Sequence, residues 1–160
     1  MNRDANVSIA VKKLPGPWLS LGLAADFVAR HEPFSRFPAA DLVRTLSGQA
    51  QRGHYLFALD VSTAPARVLG YFGWALYDDA EAERFARTGV AASEGRRDGG
   101  SVLWVMTAAA IDRRAFFALV KATRALYPNH RVMAVRNKAR GRKVTFDQSR
   151  ARIRARNVPL

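Results

Sequence analysis

At 160 residues, 49% of them hydrophobic and none a cysteine, the chain has the composition of one globular domain with a real core. That excludes a disordered chain, disulfides, thiolate metal sites and a cysteine nucleophile. No apolar run approaches the roughly 20 residues that cross a bilayer, and residues 1–13 lack the apolar stretch of a secretory signal, so a cytoplasmic protein without a transmembrane segment is expected.

Residues 1–17 read as an irregular N-terminal arm, because Pro15-Gly16-Pro17 interrupts any regular element. Leu19, Leu23, Phe27 and Val28 recur at helical spacing and predict a helix over residues 19–30. Pro33-Phe34-Ser35-Arg36-Phe37-Pro38 is a short bend between two prolines. A second helix is predicted over residues 39–51, with Leu42, Val43 and Leu46 inward and Gly53 as its stop. Residues 54–61 and 68–77 form a hairpin across the turn containing Pro65. The second strand, V-L-G-Y-F-G-W-A-L-Y, has bulky apolar groups on both faces, as a central strand covered on both sides does. Gly70 and Gly73 break that bulk and mark a bulge or a close approach of another group.

Asp78 or Asp79 is expected to cap a helix over residues 80–88. Residues 89–100 are a loop, and residues 101–108 a further apolar strand. Asp112 caps a helix over residues 113–126, with Phe116, Phe117, Leu119, Val120 and Leu126 as its apolar positions. Residues 131–136 and 143–146 read as strands around the basic turn 137–142. The fold class is therefore α/β (α+β): a mixed sheet with helices packed on its faces, built around the hairpin at about residues 54–77. The expected organisation is the arm 1–17, one domain over 18–148 and a basic tail over 149–160.

A net charge of +13 calls for an acidic partner: nucleic acid, an anionic membrane or an acidic protein. His31, His54 and His130 are scattered without metal-ligand spacing, so no metal site is expected. From residue 131 onward Asp147 is the only acidic residue among many arginines and lysines.

The order of these elements and the wording of four stretches resemble the toxin-activating lysine acyltransferases, which act on RTX haemolysins and have a fold similar to the GNAT acetyltransferases. The stretches are Leu21-Gly22 with Pro33 to Pro38; Tyr55 to Asp60 with the strand Gly70 to Trp74, where Gly73-Trp74-Ala75 stands for the family's Ser-Trp-Ala; the loop and strand from Gly95 to Ala109; and Tyr127-Pro128 through Val144. The resemblance covers roughly residues 20–150 and lies in order and spacing rather than in any one motif. It implies transfer of a fatty acyl group from acyl-carrier protein to the ε-amine of a lysine in a protein substrate such as an RTX-like toxin, with no bound cofactor and a homodimer among the possible assemblies. The family uses a His and an Asp. Proton removal from the lysine calls for a base with a pKa near 7, and an aspartate can orient an imidazole.

The family's His falls here on Ser35. His31, four residues earlier, is the alternative proton acceptor, and Asp98 matches the family's aspartate with a one-residue shift. Gly70 and Trp74 would form the wall beside the thioester. Arg36, Arg96, Arg97, Arg136, Lys138, Arg140, Arg142 and Lys143 would meet the carrier. Coenzyme A enzymes of the GNAT fold carry a glycine-rich strand-to-helix loop whose amides hold the pyrophosphate. Here that place reads Ala109-Ala110-Ile111-Asp112, with no glycine. Two other readings compete. A retained acyltransferase fold without chemistry would bind a protein partner. A nucleic-acid-binding module would show a steep salt dependence, although no zinc-finger spacing or aromatic RNA-binding strand motif is present.

Overall fold

The computed structural model describes residues 7–91, 95–96, 98–135 and 143–146. Six strands form one mixed sheet in sequence order: β1 (Ile9–Lys12), β2 (Tyr55–Asp60), β3 (Arg67–Tyr77), β4 (Val102–Ala110), β5 (Arg131–Val135) and β6 (Lys143–Phe146). Pairs β1–β2, β2–β3 and β5–β6 are antiparallel, while β4 and β5 are parallel. The helices are α1 (Pro17–Val28), α2 (Ala39–Arg52), α3 (Asp79–Thr88) and α4 (Arg113–Leu126). The expected hairpin and the mixed sheet are both present. The chain divides into two compact units, one within Met1–Gly73 and Thr107–Leu126, the other within Trp74–Met106 and Tyr127–Leu160.

In the first unit, α1 and α2 cover one face of β2 and β3. Phe27, Val28, Leu42 and Leu46 pack there on Tyr55, Phe57, Leu59 and Tyr71. Helix α4 takes the other face, lying against β1 and β2. The two glycines of β3 explain how both helical layers approach. A Cβ on Gly70 would sit 2.9 Å from Leu119 Cδ1 of α4. A Cβ on Gly73, on the opposite face, would overlap the carboxamide of Gln49 on α2. Beside Gly70 the register slips: Ala58 faces Gly70 while Leu59 faces Val68, leaving Leu69 as the extra residue of a bulge.

The Gln49 carboxamide is buried and held at both ends. Tyr71 Oη donates to its oxygen (2.8 Å), and its nitrogen donates to Thr107 Oγ1 (3.2 Å). A second buried contact anchors the N-terminal segment: Tyr55 Oη donates to the Leu14 carbonyl (3.0 Å) and lies 2.8 Å from Ser20 Oγ. Burial pushes the Tyr71 phenol far above its ordinary range, with Tyr55 adding to the effect, so Tyr71 acts as a neutral hydrogen-bonding group.

Several local expectations change. Ile9–Lys12 of the arm forms β1, because β2 offers it an open edge: Ile9 faces Asp60 and Lys12 faces Phe57. Helix α1 begins at Pro17 rather than at Leu19, since proline suits the first helical position, where its missing N–H is not needed. Val43 is exposed while Leu42 and Leu46 are buried, because Gln49 rather than Val43 completes the inward stripe. Phe116, Phe117 and Leu126 are exposed as well; the buried stripe of α4 is Ala115, Leu119 and Thr123. His54 is buried.

In the second unit, Ala75, Tyr77, Val102, Trp104 and Met133 make a core with Ala82 and Phe85 of α3. The Phe85 and Trp104 rings stack at 4.5 Å. Asp78 begins α3 with a full capping box: its carboxylate accepts from the Glu81 amide (2.8 Å), and Glu81 accepts from the Asp78 amide (3.1 Å). Asp79 accepts from Ser101 Oγ (2.6 Å) and Arg131 Nη1 (3.1 Å), tying α3 to the starts of β4 and β5.

Gly73→Ala is expected to destabilise the protein by about 1–3 kcal/mol, because the methyl must expel a carboxamide that is pinned at both ends. Urea denaturation measures this, and Gly73→Ala with Gln49→Ala should cost less than the sum of the two single changes. A second expectation concerns Asp60. Its side chain accepts from the Ser62 hydroxyl (2.5 Å) and the Ser62 amide (3.0 Å), which holds its pKa below the ordinary carboxylate value. The unfolded chain therefore binds the proton more readily, and the contribution is present above about pH 4 and lost as pH falls through the lower folded value. Between pH 5 and pH 2 the urea midpoint of the wild type should fall further than that of Asp60→Asn.

Candidate active site

His31 and Ser35 lie together one turn after α1 in the first unit. The His31 ring packs on Phe27 at 4.3 Å, and its Nδ1 lies 2.7 Å from the Phe27 carbonyl oxygen. A carbonyl only accepts, so Nδ1 carries a proton, and in the neutral ring the lone pair is on Nε2. Ser35 sits exposed in the 3-10 turn Phe34–Arg36, and its amide donates to the His31 carbonyl (3.0 Å). Phe34 is the buried anchor of that turn. Arg36 is exposed and pairs with Glu32 (3.0 Å).

Asp98 belongs to the second unit and is exposed at a bend just before Gly99 and Gly100, both of positive φ. Neighbouring residues of this loop are fastened to the end of β3. The Arg96 amide donates to the Leu76 carbonyl (2.9 Å), and a Cβ on Gly100 would lie 2.7 Å from the Tyr77 oxygen. The Arg96 guanidinium reaches Asp78 (2.7 Å) and Glu81 (3.2 Å), the two acids of the capping box. Arg96 thus holds the loop against α3 while half of its side chain faces solvent.

Of the two residues expected beside a thioester, Gly70 has its open side filled by Leu119, and Trp74 is wholly buried, edge-on to Tyr127 at 5.5 Å. Arg97, Arg136, Lys138, Arg140 and Arg142 lie outside the described residues, as does the Lys143 side chain. A shallow cleft of about 60 Å³ is lined by Pro17, Trp18, Leu21, Ser47, Ala50 and Gln51. It is well below the roughly 300 Å³ of a small-molecule pocket.

The turn from β4 into α4 is where a diphosphate would meet helix amides. The Ile111 amide already donates to the Leu69 carbonyl (2.9 Å), and the Asp112 carboxylate accepts from the Ala115 amide (2.8 Å). A carboxylate on the positive end of the helix satisfies it and repels a second anion. These residues do not fit a pyrophosphate.

Sequence reading passed over the Gln49, Tyr71 and Thr107 network. Its signal was present in the spacing of Leu42, Leu46 and Gln49, which puts a polar side chain on the inward stripe of α2. The Arg96–Asp78 pair has no local signal, since it joins residues far apart in sequence.

No family model matches the chain, and no curated protein matches it in sequence. A solved structure, that of AAC(6')-Iy in complex with the bisubstrate analogue CoA-S-monomethyl-acetylneamine, matches it in fold with a TM-score of 0.50 and 10% sequence identity. The match covers 96% of this chain and 92% of that one. The class is therefore defined by architecture: this is a protein of GNAT-like fold. Among the described residues no group of His, Asp or Glu could hold a metal ion, and no helix is long and apolar enough to cross a membrane.

From the closed α4 N-terminus, calorimetric titration with coenzyme A is expected to give no saturable heat at millimolar ligand. Micromolar affinity would show that the diphosphate has another seat.

Proposed function

We propose that this protein is an acyltransferase whose donor arrives on an acyl-carrier protein and whose acceptor is a protein lysine, as in the toxin-activating enzymes that its sequence resembles. The observation that carries this reading is the β4–α4 turn. The fold is one that performs acyl transfer elsewhere, yet the helix end suited to a nucleotide donor's diphosphate is occupied by Asp112 and by the Ile111–Leu69 bond. A carrier protein can present its thioester without that anchor, and a chain of charge +13 attracts an acidic carrier.

In this reading His31 takes the proton from the attacking lysine. Its Nδ1 is committed to the Phe27 carbonyl, so Nε2 is the basic nitrogen. The lysine nitrogen attacks the thioester carbonyl, the C–S bond breaks, and the carrier thiol leaves with a proton. Asp98 is assigned the family's carboxylate role on the resemblance, and Ser35 the place of the family's His.

A second reading is favoured by Ser35 itself. An exposed hydroxyl in a turn is a poor base at neutral pH, and a protein that kept this fold for binding alone would tolerate it.

Intact-mass spectrometry of the protein with acylated carrier protein and candidate toxin substrates tests both. The expected result is an acyl mass gain on a substrate lysine, reduced at least about 100-fold in rate by His31→Ala and by Asp98→Ala, with circular dichroism unchanged. Transfer that survives both changes would overturn the residue assignment. Absence of transfer together with stable capture of a protein partner would establish the binding role.

A further inference from the structure

The solvent face of α4 is built unlike an ordinary exposed helix. At about 100° per residue, Ala115, Leu119 and Thr123 fix the inward direction. The opposite side carries Arg113, Arg114, Phe117, Lys121 and Arg124, all exposed. No acidic residue occurs between Arg113 and Leu126. Solvated helix faces usually mix both signs of charge, and oppositely charged residues at i, i+4 support one another. Here like charges share one ridge about 16 Å long with no acidic residue on the helix to offset them, an arrangement that an anionic partner would complement.

Phe117 sits in the middle of this ridge with 56% of its surface exposed. Arg113, one turn back, places its guanidinium carbon 5.8 Å from the ring centroid. Phe116, on the flank, is 39% exposed and meets the Phe72 ring edge-on at 6.3 Å. An aromatic centre with a cationic surround has the anatomy of a protein-binding patch, in which an apolar anchor is desolvated and charges at the rim set orientation and encounter rate. A duplex phosphate backbone would use the cations and leave the aromatic centre without a role, whereas a single strand could stack a base on Phe117 and is therefore the competing occupant that the test below includes.

We propose that the Arg113, Arg114, Phe117, Lys121 and Arg124 face of α4 is the docking surface for an acidic protein, and that its occupant is the acyl-carrier protein. The choice of occupant rests on the carrier-dependent reading given under Proposed function; the surface itself rests on charge and exposure. An acidic helix of the carrier lies along the ridge, its carboxylates on the arginines and lysine and an apolar side chain on Phe117.

The test is fluorescence anisotropy with a labelled holo acyl-carrier protein, using the wild type, Phe117→Ala, and the triple change Arg113→Glu, Arg114→Glu, Lys121→Glu. All these side chains point to solvent, and circular dichroism confirms that each variant is folded. The expected result is saturable binding to the wild type that weakens with added salt, falls roughly tenfold or more in the triple variant, and falls in Phe117→Ala as well. Restored binding in Arg113→Lys, Arg114→Lys would confirm that charge at these positions is what is read. Binding that is equal in wild type and triple variant would overturn the α4 surface while leaving the carrier-dependent reaction standing. Failure of the wild type to bind any carrier would overturn the reaction reading and this proposal together. If a single-stranded oligonucleotide binds the wild type more tightly than the carrier does, and loses that binding in the triple variant, the face is a nucleic-acid site and the proposal is wrong.

Discussion

The first unit depends on a single buried amide. Gln49 sits on a helix whose other inward residues are aliphatic, and its carboxamide would be costly to bury without partners. Tyr71 and Thr107 supply them from β3 and β4, and Gly73 supplies the space. Each element of that arrangement requires the others. A side chain at Gly73 would remove the seat, an apolar residue at 71 or 107 would orphan one end of the amide, and an aliphatic residue at 49 would leave two hydroxyls unpaired. Directional hydrogen bonds fix the depth and rotation of α2 on the sheet in a way that apolar packing alone does not. The Tyr55, Ser20 and Leu14 contact does the same for the start of α1. Helix α1 leads into the turn that carries His31 and Ser35, so the placement of those residues follows from this polar layer.

The second unit uses charge for the same purpose. Asp78 and Glu81 first satisfy the end of α3 and then receive the Arg96 guanidinium. These pairs are partly exposed, so each contributes little by itself. Their effect is geometric, since together with the Arg96–Leu76 backbone bond and the close approach of Gly100 to Tyr77 they hold the loop that contains Asp98. The guanidinium of Arg96, a residue expected to meet a carrier, pairs inside its own unit while half of its side chain stays open to solvent.

Most of the architecture was legible in the residues because it is written in short periods. The alternation in β3, the glycine pair, the Asp112 cap and the apolar runs of β2 and β4 are local signals, and the elements follow them closely. What escaped reading was set by distant partners. Strand β1 depends on the open edge of β2, which lies more than forty residues away. The helix of residues 113–126 is legible, yet its apolar positions fall on more than one side of it, and apolarity alone does not say which of them face the core. Only the phase set by Ala115, Leu119 and Thr123 shows that Phe117 points away from the core. For the site, sequence supplied His31, Ser35 and Asp98 as residue types. It could not supply the tautomer that the Phe27 carbonyl imposes on His31, nor the bond that uses up the Ile111 amide.

The two ends of the functional reading meet on α4. Its first turn carries Asp112, which closes the helix end to a diphosphate, and immediately after it come Arg113 and Arg114 on the solvent side. A nucleotide donor would need those charges turned inward onto its phosphates, with the cap residue neutral. A protein donor needs the reverse: a helix end satisfied internally, so that it keeps its shape without ligand, and cations directed outward, where a macromolecular surface can reach them. On the proposed carrier-dependent reading, the sign and direction of charge at this one helix are what favour a protein donor over a nucleotide. The exposed Phe117 sharpens the contrast, because an aromatic ring surrounded by arginine and lysine gains little from water and much from a partner that covers it.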